Sequence, residues 1–346
     1  MSITLYETIS STYKNKIVKV IRMKKKILLV SHQLDFSGAP VALFHLAKAL
    51  IQLGHDVDLV SLHRGGDLLA DFNQIGVSYR EEKSLDVNEY DIVVFNTVVS
   101  TPVIPKIRNK NTKFILWIHE SPFLDGFAWS NFVNMRRAEN IELIIFPTKA
   151  CKNEWEGLID TSRSITLLSP VDIPEDIACL NRDRKRIVTT YCIIDPRETY
   201  RNISKIEEEL LNFSDEAIFN FIGANAPDTK IVATLRSKAN LEVNYWGRIP
   251  RKNALEILAK SDIYISATCL ATQNRGLCEA IALNKTIYIS SIKAHLEIGK
   301  AAGLSRNSYF YPLERMNLNI NSESIEYSKA FLSFNEFLDK VRDIFS

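Results

Sequence analysis

The 346-residue chain has no CxxC pair among its five cysteines, at 151, 179, 192, 269 and 278. An odd number of thiols at those spacings excludes a closed disulfide framework and argues against a zinc site. It fits reduced, mostly buried cysteines of a cytosolic protein. Glycine and proline are scarce, at 12 and 11 residues, which excludes a fibrous or low-complexity chain. An excess of one charge is missing too. The 43 Lys and Arg nearly balance 41 Asp and Glu, so there is no overall basic field and nucleic acid is not expected as a partner. No apolar run approaches the roughly 18 residues of a membrane span, and no secretory h-region follows the N-terminus. With 46% hydrophobic and 24% charged residues the composition is globular, and a prior of about 150 residues per domain suggests two domains.

Charge is unevenly placed at the start of the chain. Lys14, Lys16, Lys19, Arg22, Lys24, Lys25 and Lys26 stand against Glu7 alone. Ile9, Tyr13, Ile17, Val20 and Ile21 recur at steps of three and four, so residues 1–25 read as a basic amphipathic extension. Two settings suit such a helix. One is the anionic inner face of a membrane, where each basic residue contributes about 1 kcal/mol; the other is the protein's own body.

From Lys26 onward short apolar runs alternate with helical patterns. Ile27–Val30, Val57–Ser61, Asp91–Phe95, Phe114–Ile118, Leu143–Phe146 and Ile165–Leu168 read as strands, the first followed by a helix over Val41–Leu53. A polar linker over 174–186 separates this set from a second. There Ile187–Ile194, Ala217–Ile222, Leu241–Trp246, Asp262–Ser266 and Thr286–Ile289 read as strands, and Asn202–Leu211, Ala254–Lys260 and Gly276–Leu283 as helices. Continuous apolar runs of strand length belong to sheets buried on both faces. The pattern predicts an α/β chain of two doubly wound parallel-sheet domains, 26–173 and 187–323, facing a cleft with ligand at the strands' carboxyl ends. A C-terminal helix over 324–346 could cross back to the first domain.

Several familiar chemistries lack their signatures. Only Gly38 stands where a GxGxxG would follow the first strand, there is no P-loop or GxSxG, and His119-Glu120 has no second histidine four residues on. What is present resembles the family-4 glycosyltransferases, retaining enzymes of the two-domain GT-B fold. The resemblance runs from Ile27–Pro40 through Gly54-His55-Asp56-Val57, Phe95-Asn96-Thr97, Trp117-Ile118-His119-Glu120, Pro147-Thr148 and Ser169-Pro170-Val171-Asp172. It continues with Asp195-Pro196-Arg197, Arg201-Asn202, Phe221-Ile222-Gly223, Trp246-Gly247 and Gly276-Leu277-Cys278-Glu279-Ala280.

The resemblance implies a nucleotide-sugar donor and a glycan or lipid-linked acceptor, with no metal and no further cofactor. Glu279 matches the carboxylate that clamps the donor ribose, although a glutamate near a helix start is also stabilised by the helix dipole alone. Gly276 and Leu277 would turn helix N-terminal amides toward the diphosphate. Arg197 and Arg201 match the basic pair that stabilises the departing diphosphate, with unusual spacing between them, and either could be a solvated loop charge. His119 matches a histidine that meets the donor sugar, with Glu120 orienting it; it could equally be a strand-end histidine bonded to backbone. Ser37 and Gly38 lie on the loop where a side chain would crowd a bound phosphate or acceptor, or form an ordinary turn. Arg248 and Ile249 follow Trp246-Gly247, where the base would lie.

One position departs from the family. Ala271 stands where its first motif glutamate would touch the sugar, with Thr272, Gln273 and Asn274 as substitutes if the loop is re-registered. The leading expectation is a hexosyltransferase of surface-polysaccharide synthesis, cytoplasmic or peripheral at the membrane's inner face. The alternative that Ala271 raises is a non-catalytic GT-B partner subunit. An epimerase or phosphorylase on the same fold is the third, the latter needing a cofactor lysine that the sequence does not identify.

Overall fold

The structure, a computed structural model, describes residues 24–63, 65–82, 85–101, 111–123, 141–178, 186–191, 202–212, 215–223, 229–305, 308–310 and 327–346. Most of the basic extension lies outside the described residues, as do Arg197 and Arg201.

The first domain is built on β1 (Lys26–Ser31), β2 (Asp56–Ser61), β3 (Ser78–Tyr79), β4 (Ile92–Asn96), β5 (Lys113–Trp117), β6 (Ile141–Phe146) and β7 (Ser164–Thr166). They form one sheet in the order β3-β2-β1-β4-β5-β6-β7, every pair parallel. Side chains alternate between faces along each strand. Ile27 and Leu29 enter the core on one face, beneath α1 (Gly38–Gln52). Leu28 and Val30 enter the core on the other, with Cys151 and Trp155 of α3 (Lys149–Trp155); α2 (Leu69–Gln74) lies between the two helices in sequence. Pro40 sits in the first turn of α1, where its missing N–H costs nothing. Gly54, at φ +88°, ends the helix and turns the chain into β2.

Part of the expected linker is helical, as α4 (Glu175–Ala178), and β8 (Arg186–Tyr191) opens one residue earlier than expected. The second sheet continues with β9 (Ala217–Ile222), β10 (Leu241–Gly247), β11 (Ile263–Ser266), β12 (Thr286–Ser290) and β13 (Tyr309–Phe310), in the order β10-β9-β8-β11-β12-β13, also parallel. Its helices are α5 (Ile203–Leu211), α6 (Lys230–Ser237), α7 (Arg251–Lys260), α8 (Arg275–Ala282) and α9 (Lys293–Ala302). The last helix, α10 (Phe334–Phe345), is shorter than 324–346 and returns to the first domain. Phe337, Val341 and Phe345 join the core that holds Ile27 and Val41, and Phe337 stacks on Trp117 with ring centroids 6.5 Å apart. Among the described residues no helix is long and apolar enough to cross a membrane.

Candidate active site

The carboxyl-end loops of the two sheets meet directly. Thr148, after β6, donates its hydroxyl to Thr272 O at 2.7 Å, and Thr272, after β11, donates its own to His119 O at 2.6 Å. Gln273 brackets Ser169: its Nε2 donates to Ser169 O at 3.2 Å and its Oε1 lies 3.4 Å from Ser169 N. Glu297 of α9 accepts the backbone N–H groups of Lys149 and Ala150, each at 2.8 Å. A carboxylate of one domain thus satisfies the orphan first-turn amides of a helix in the other.

On the first-domain side, the loop after β1 is organised by Asp35. Its carboxylate accepts from Ser37 N at 3.0 Å, Ser37 Oγ at 2.5 Å and Gln33 Nε2 at 3.0 Å. Ser37 is the N-cap of α1, but its hydroxyl goes to Asp35 and makes no capping bond. Gly38 is exposed with open space where a Cβ would stand. Nothing among the described residues requires glycine there.

His119 follows β5, its ring partly buried against the Trp117 indole at 4.8 Å between centroids. Nε2 lies 2.9 Å from Asn96 Oδ1, and Asn96 Nδ2 donates to Ala39 O at 3.1 Å. A carbonyl can only accept, so the Asn96 amide nitrogen faces Ala39 and its oxygen takes the His119 Nε2 proton. Burial, then the neighbouring His32, lowers the His119 pKa to about 3. The ring is therefore neutral near pH 7 and offers a lone pair at Nδ1. The side chain bonds Asn96, which also replaces the simple strand-end reading. Glu120 holds this corner through the N–H groups of Val98 at 3.1 Å and His119 at 3.0 Å. Burial raises its pKa against the pull of those amides.

On the second-domain side, Glu279 lies in the second turn of α8, with its side chain 7% exposed. Its Oε1 is 3.1 Å from Arg251 Nη2 and 3.3 Å from Arg275 Nε. Two guanidiniums thus face one carboxylate, and the trio carries one more positive charge than negative. Arg275 also reaches the first domain, at Ser169 Oγ and Pro170 O (both 3.3 Å) and His45 Nε2 (3.2 Å). Because guanidinium only donates, His45 must accept there. Burial, then Arg275, Arg251 and Lys48, hold its pKa well below the usual range. Neither Arg251 nor Arg275 was expected; the one signal was Arg275 standing four residues before Glu279 on a helix.

Several expected donor contacts are corrected. Asn274 is the N-cap of α8. It accepts from Leu277 N at 3.0 Å and Tyr264 OH at 3.1 Å, and its amide meets Ser266 Oγ and His295 Nε2. With the Leu277 amide taken by this cap and Leu277 fully buried, that N–H does not face a diphosphate. Gly276 is buried beside it. Thr272 and Gln273, the substitutes for the missing glutamate at Ala271, are engaged in bridging the domains. Arg248 is exposed and Ile249 half-buried beyond β10, where Gly247 O accepts from Gly223 N at 2.7 Å.

Residues 23–173 match the sequence model described as glycosyl-transferase family 4. No curated protein matches the chain in sequence. Among solved structures, HepE of Anabaena in complex with UDP-glucose is similar with a TM-score of 0.74, at 12% identity over 92% of this chain and 99% of that one. A glycosyltransferase from Rickettsia africae gives 0.66 at 16% identity over 93% and 98%, respectively. Sucrose-phosphate synthase of Thermosynechococcus elongatus gives 0.60 at 12% over 93% and 95%. The fold is that of the two-domain GT-B glycosyltransferases. The family-4 match spans the first domain.

Proposed function

We propose that the protein transfers a hexose from a nucleotide diphosphate sugar to a hydroxyl of a glycan or glycoconjugate, with retention and without a metal. The observation that carries this reading is the meeting of the carboxyl-end loops of both sheets at Thr272, His119 and Ser169, the place where doubly wound domains take ligands. An anionic donor suits the net positive Arg251–Glu279–Arg275 group and the amino end of α1 behind Gly38. HepE, of like fold, is bound to UDP-glucose, which favours a uridine nucleotide. The acceptor hydroxyl attacks the face the diphosphate leaves, and a donor phosphate oxygen takes its proton. Arg197 and Arg201 remain the expected stabilisers of the leaving group. A role in surface-polysaccharide synthesis, with residues 1–25 on an anionic inner membrane face, completes the proposal.

A second reading, the non-catalytic partner subunit, is favoured by the engagement of Thr272 and Gln273 in bridging the domains. Titration calorimetry with nucleoside diphosphates and a hydrolysis screen across nucleotide sugars separate the two. Binding of a nucleotide and release of sugar from one donor are expected. Neither, with an Arg201→Ala, Glu279→Ala variant supporting the host pathway as well as the wild type, would establish the subunit.

A further inference from the structure

Between β1 and β4 the strand order of the first sheet reverses, and Ser31 and Asn96 end the two strands in register. The next residue out of each is His32 and Thr97. Thr97 is a β-branched residue at φ +86°, a conformation that persists only where the surroundings enforce it. They do: Thr97 N donates to Trp117 O at 2.8 Å, and Thr97 O accepts from Ser100 N at 3.2 Å and Ser100 Oγ at 2.8 Å. The imposed backbone sets the Thr97 hydroxyl 3.3 Å from His32 Nδ1, while His63 N, at the end of β2, holds His32 O at 2.8 Å.

Proton positions follow from the partners. The Thr97 hydroxyl also lies toward the Glu120 side chain and favours its ionised form; that carboxylate already accepts two backbone N–H groups, so the threonine proton is drawn toward it. The threonine oxygen is then free to accept, and His32 Nδ1 carries the proton. Nε2 is left with a lone pair on a half-buried ring, the ring's hydrogen bond among the described residues being made at Nδ1. Burial depresses the basicity of this ring, which keeps the lone pair available near neutral pH. His32 is also close enough to His119 to shift its titration.

We infer that His32 binds the acceptor: its Nε2 accepts a hydrogen bond from a sugar hydroxyl at the β1/β4 crevice, with Thr97 and Glu120 as positioning residues that fix the ring's tautomer. This deepens the transferase reading and rests on it for the word acceptor; the polyol site itself does not.

The chain has six histidines, so imidazole nitrogen NMR on the full-length protein with UDP can follow each one. The His32 pair is the one missing from His32→Gln. Its Nδ1–H tautomer is expected in the wild type and a mixture in Thr97→Val. Methyl glucoside, methyl galactoside and methyl N-acetylglucosaminide are the probes, and at least one should move the Nε2 resonance toward a hydrogen-bonded value. In turnover, His32→Ala should raise the acceptor KM about tenfold, the worth of one hydrogen bond to a neutral group. His32→Gln should recover part of it, and calorimetry should give the wild-type nucleotide Kd for both. A His32 signal that no glycoside moves, or a variant that loses nucleotide and acceptor affinity together, overturns the inference. A glycoside response without turnover of any donor upholds the site and removes the transferase reading.

Discussion

His119 carries its chemistry in one bond. Because Asn96 takes its Nε2 proton and burial lowers its pKa to about 3, the folded chain resists protonating it while the unfolded chain, near 6.5, does not. Stability from this residue is therefore complete above about pH 6.5 and is lost as pH falls toward 3, at up to about 1.4 kcal/mol per pH unit. His119→Gln keeps an N–H for Asn96 but cannot titrate. Urea unfolding at pH 7.5 and 5.5 should show a loss smaller by about 1 kcal/mol in the variant; equal losses would mean that His119 is protonated like any surface histidine. Gly38 gives the opposite kind of test. A Cβ there meets no atom of the described residues, so Gly38→Ala should leave the melting temperature unchanged, and a drop in turnover of about tenfold or more would report a ligand pressed against that loop. The sequence singled out both positions, but not what they bond to. A histidine's tautomer depends on Asn96, 23 residues away in the chain, and no local pattern encodes it.

At the scale of elements, legibility followed hydrophobic contrast. β1, β4 and β5 are buried runs of Ile, Leu, Val and Phe that can be little else. By contrast, α9 was missed because the face it buries is Ala294, His295, Ile298, Gly299 and Ala302, small and polar residues that give almost no apolar stripe. α6 buries only Val232 and Leu235, too short a pattern to distinguish from a loop. In α8 the helix was legible to within one residue of its start, but its cap was not, since Asn274 reads as a loop amide until Tyr264 and Ser266 are seen to close around it. Asn274→Ala should cost about 1–2 kcal/mol for the lost cap alone. Because it also removes the bonds that Asn274 makes with the Tyr264 and Ser266 hydroxyls, a drop of about 2–3 kcal/mol is expected. Chemical denaturation measures this directly, and a change below about 0.5 kcal/mol would show that the cap is dispensable.

For the whole molecule, the decisive contacts join residues more than a hundred positions apart, which is why the cleft was expected while its fastening was not. Glu297 is the clearest case. It looks like a solvated helix glutamate in the sequence, yet it receives two amides at the start of α3. Thr148 and Thr272 tie the same junction, and α10 returns to the first domain's core, so a parting of the domains has to break the fastening near Thr148 while the terminal helix stays seated. Glu297→Ala removes a charge-assisted pair of bonds that lies partly in solvent, worth about 1–2 kcal/mol of the closed arrangement. Neither domain core is touched, so cooperative unfolding should persist. Small-angle scattering should then show a larger radius of gyration without nucleotide than the wild type has, and recovery toward the wild-type value when UDP is added. The KM for donor should rise more than kcat falls, because closure then has to be driven by substrate. An unchanged radius together with unchanged kinetics would show that the two lobes are held by the Arg275 and Gln273 contacts without help from Glu297.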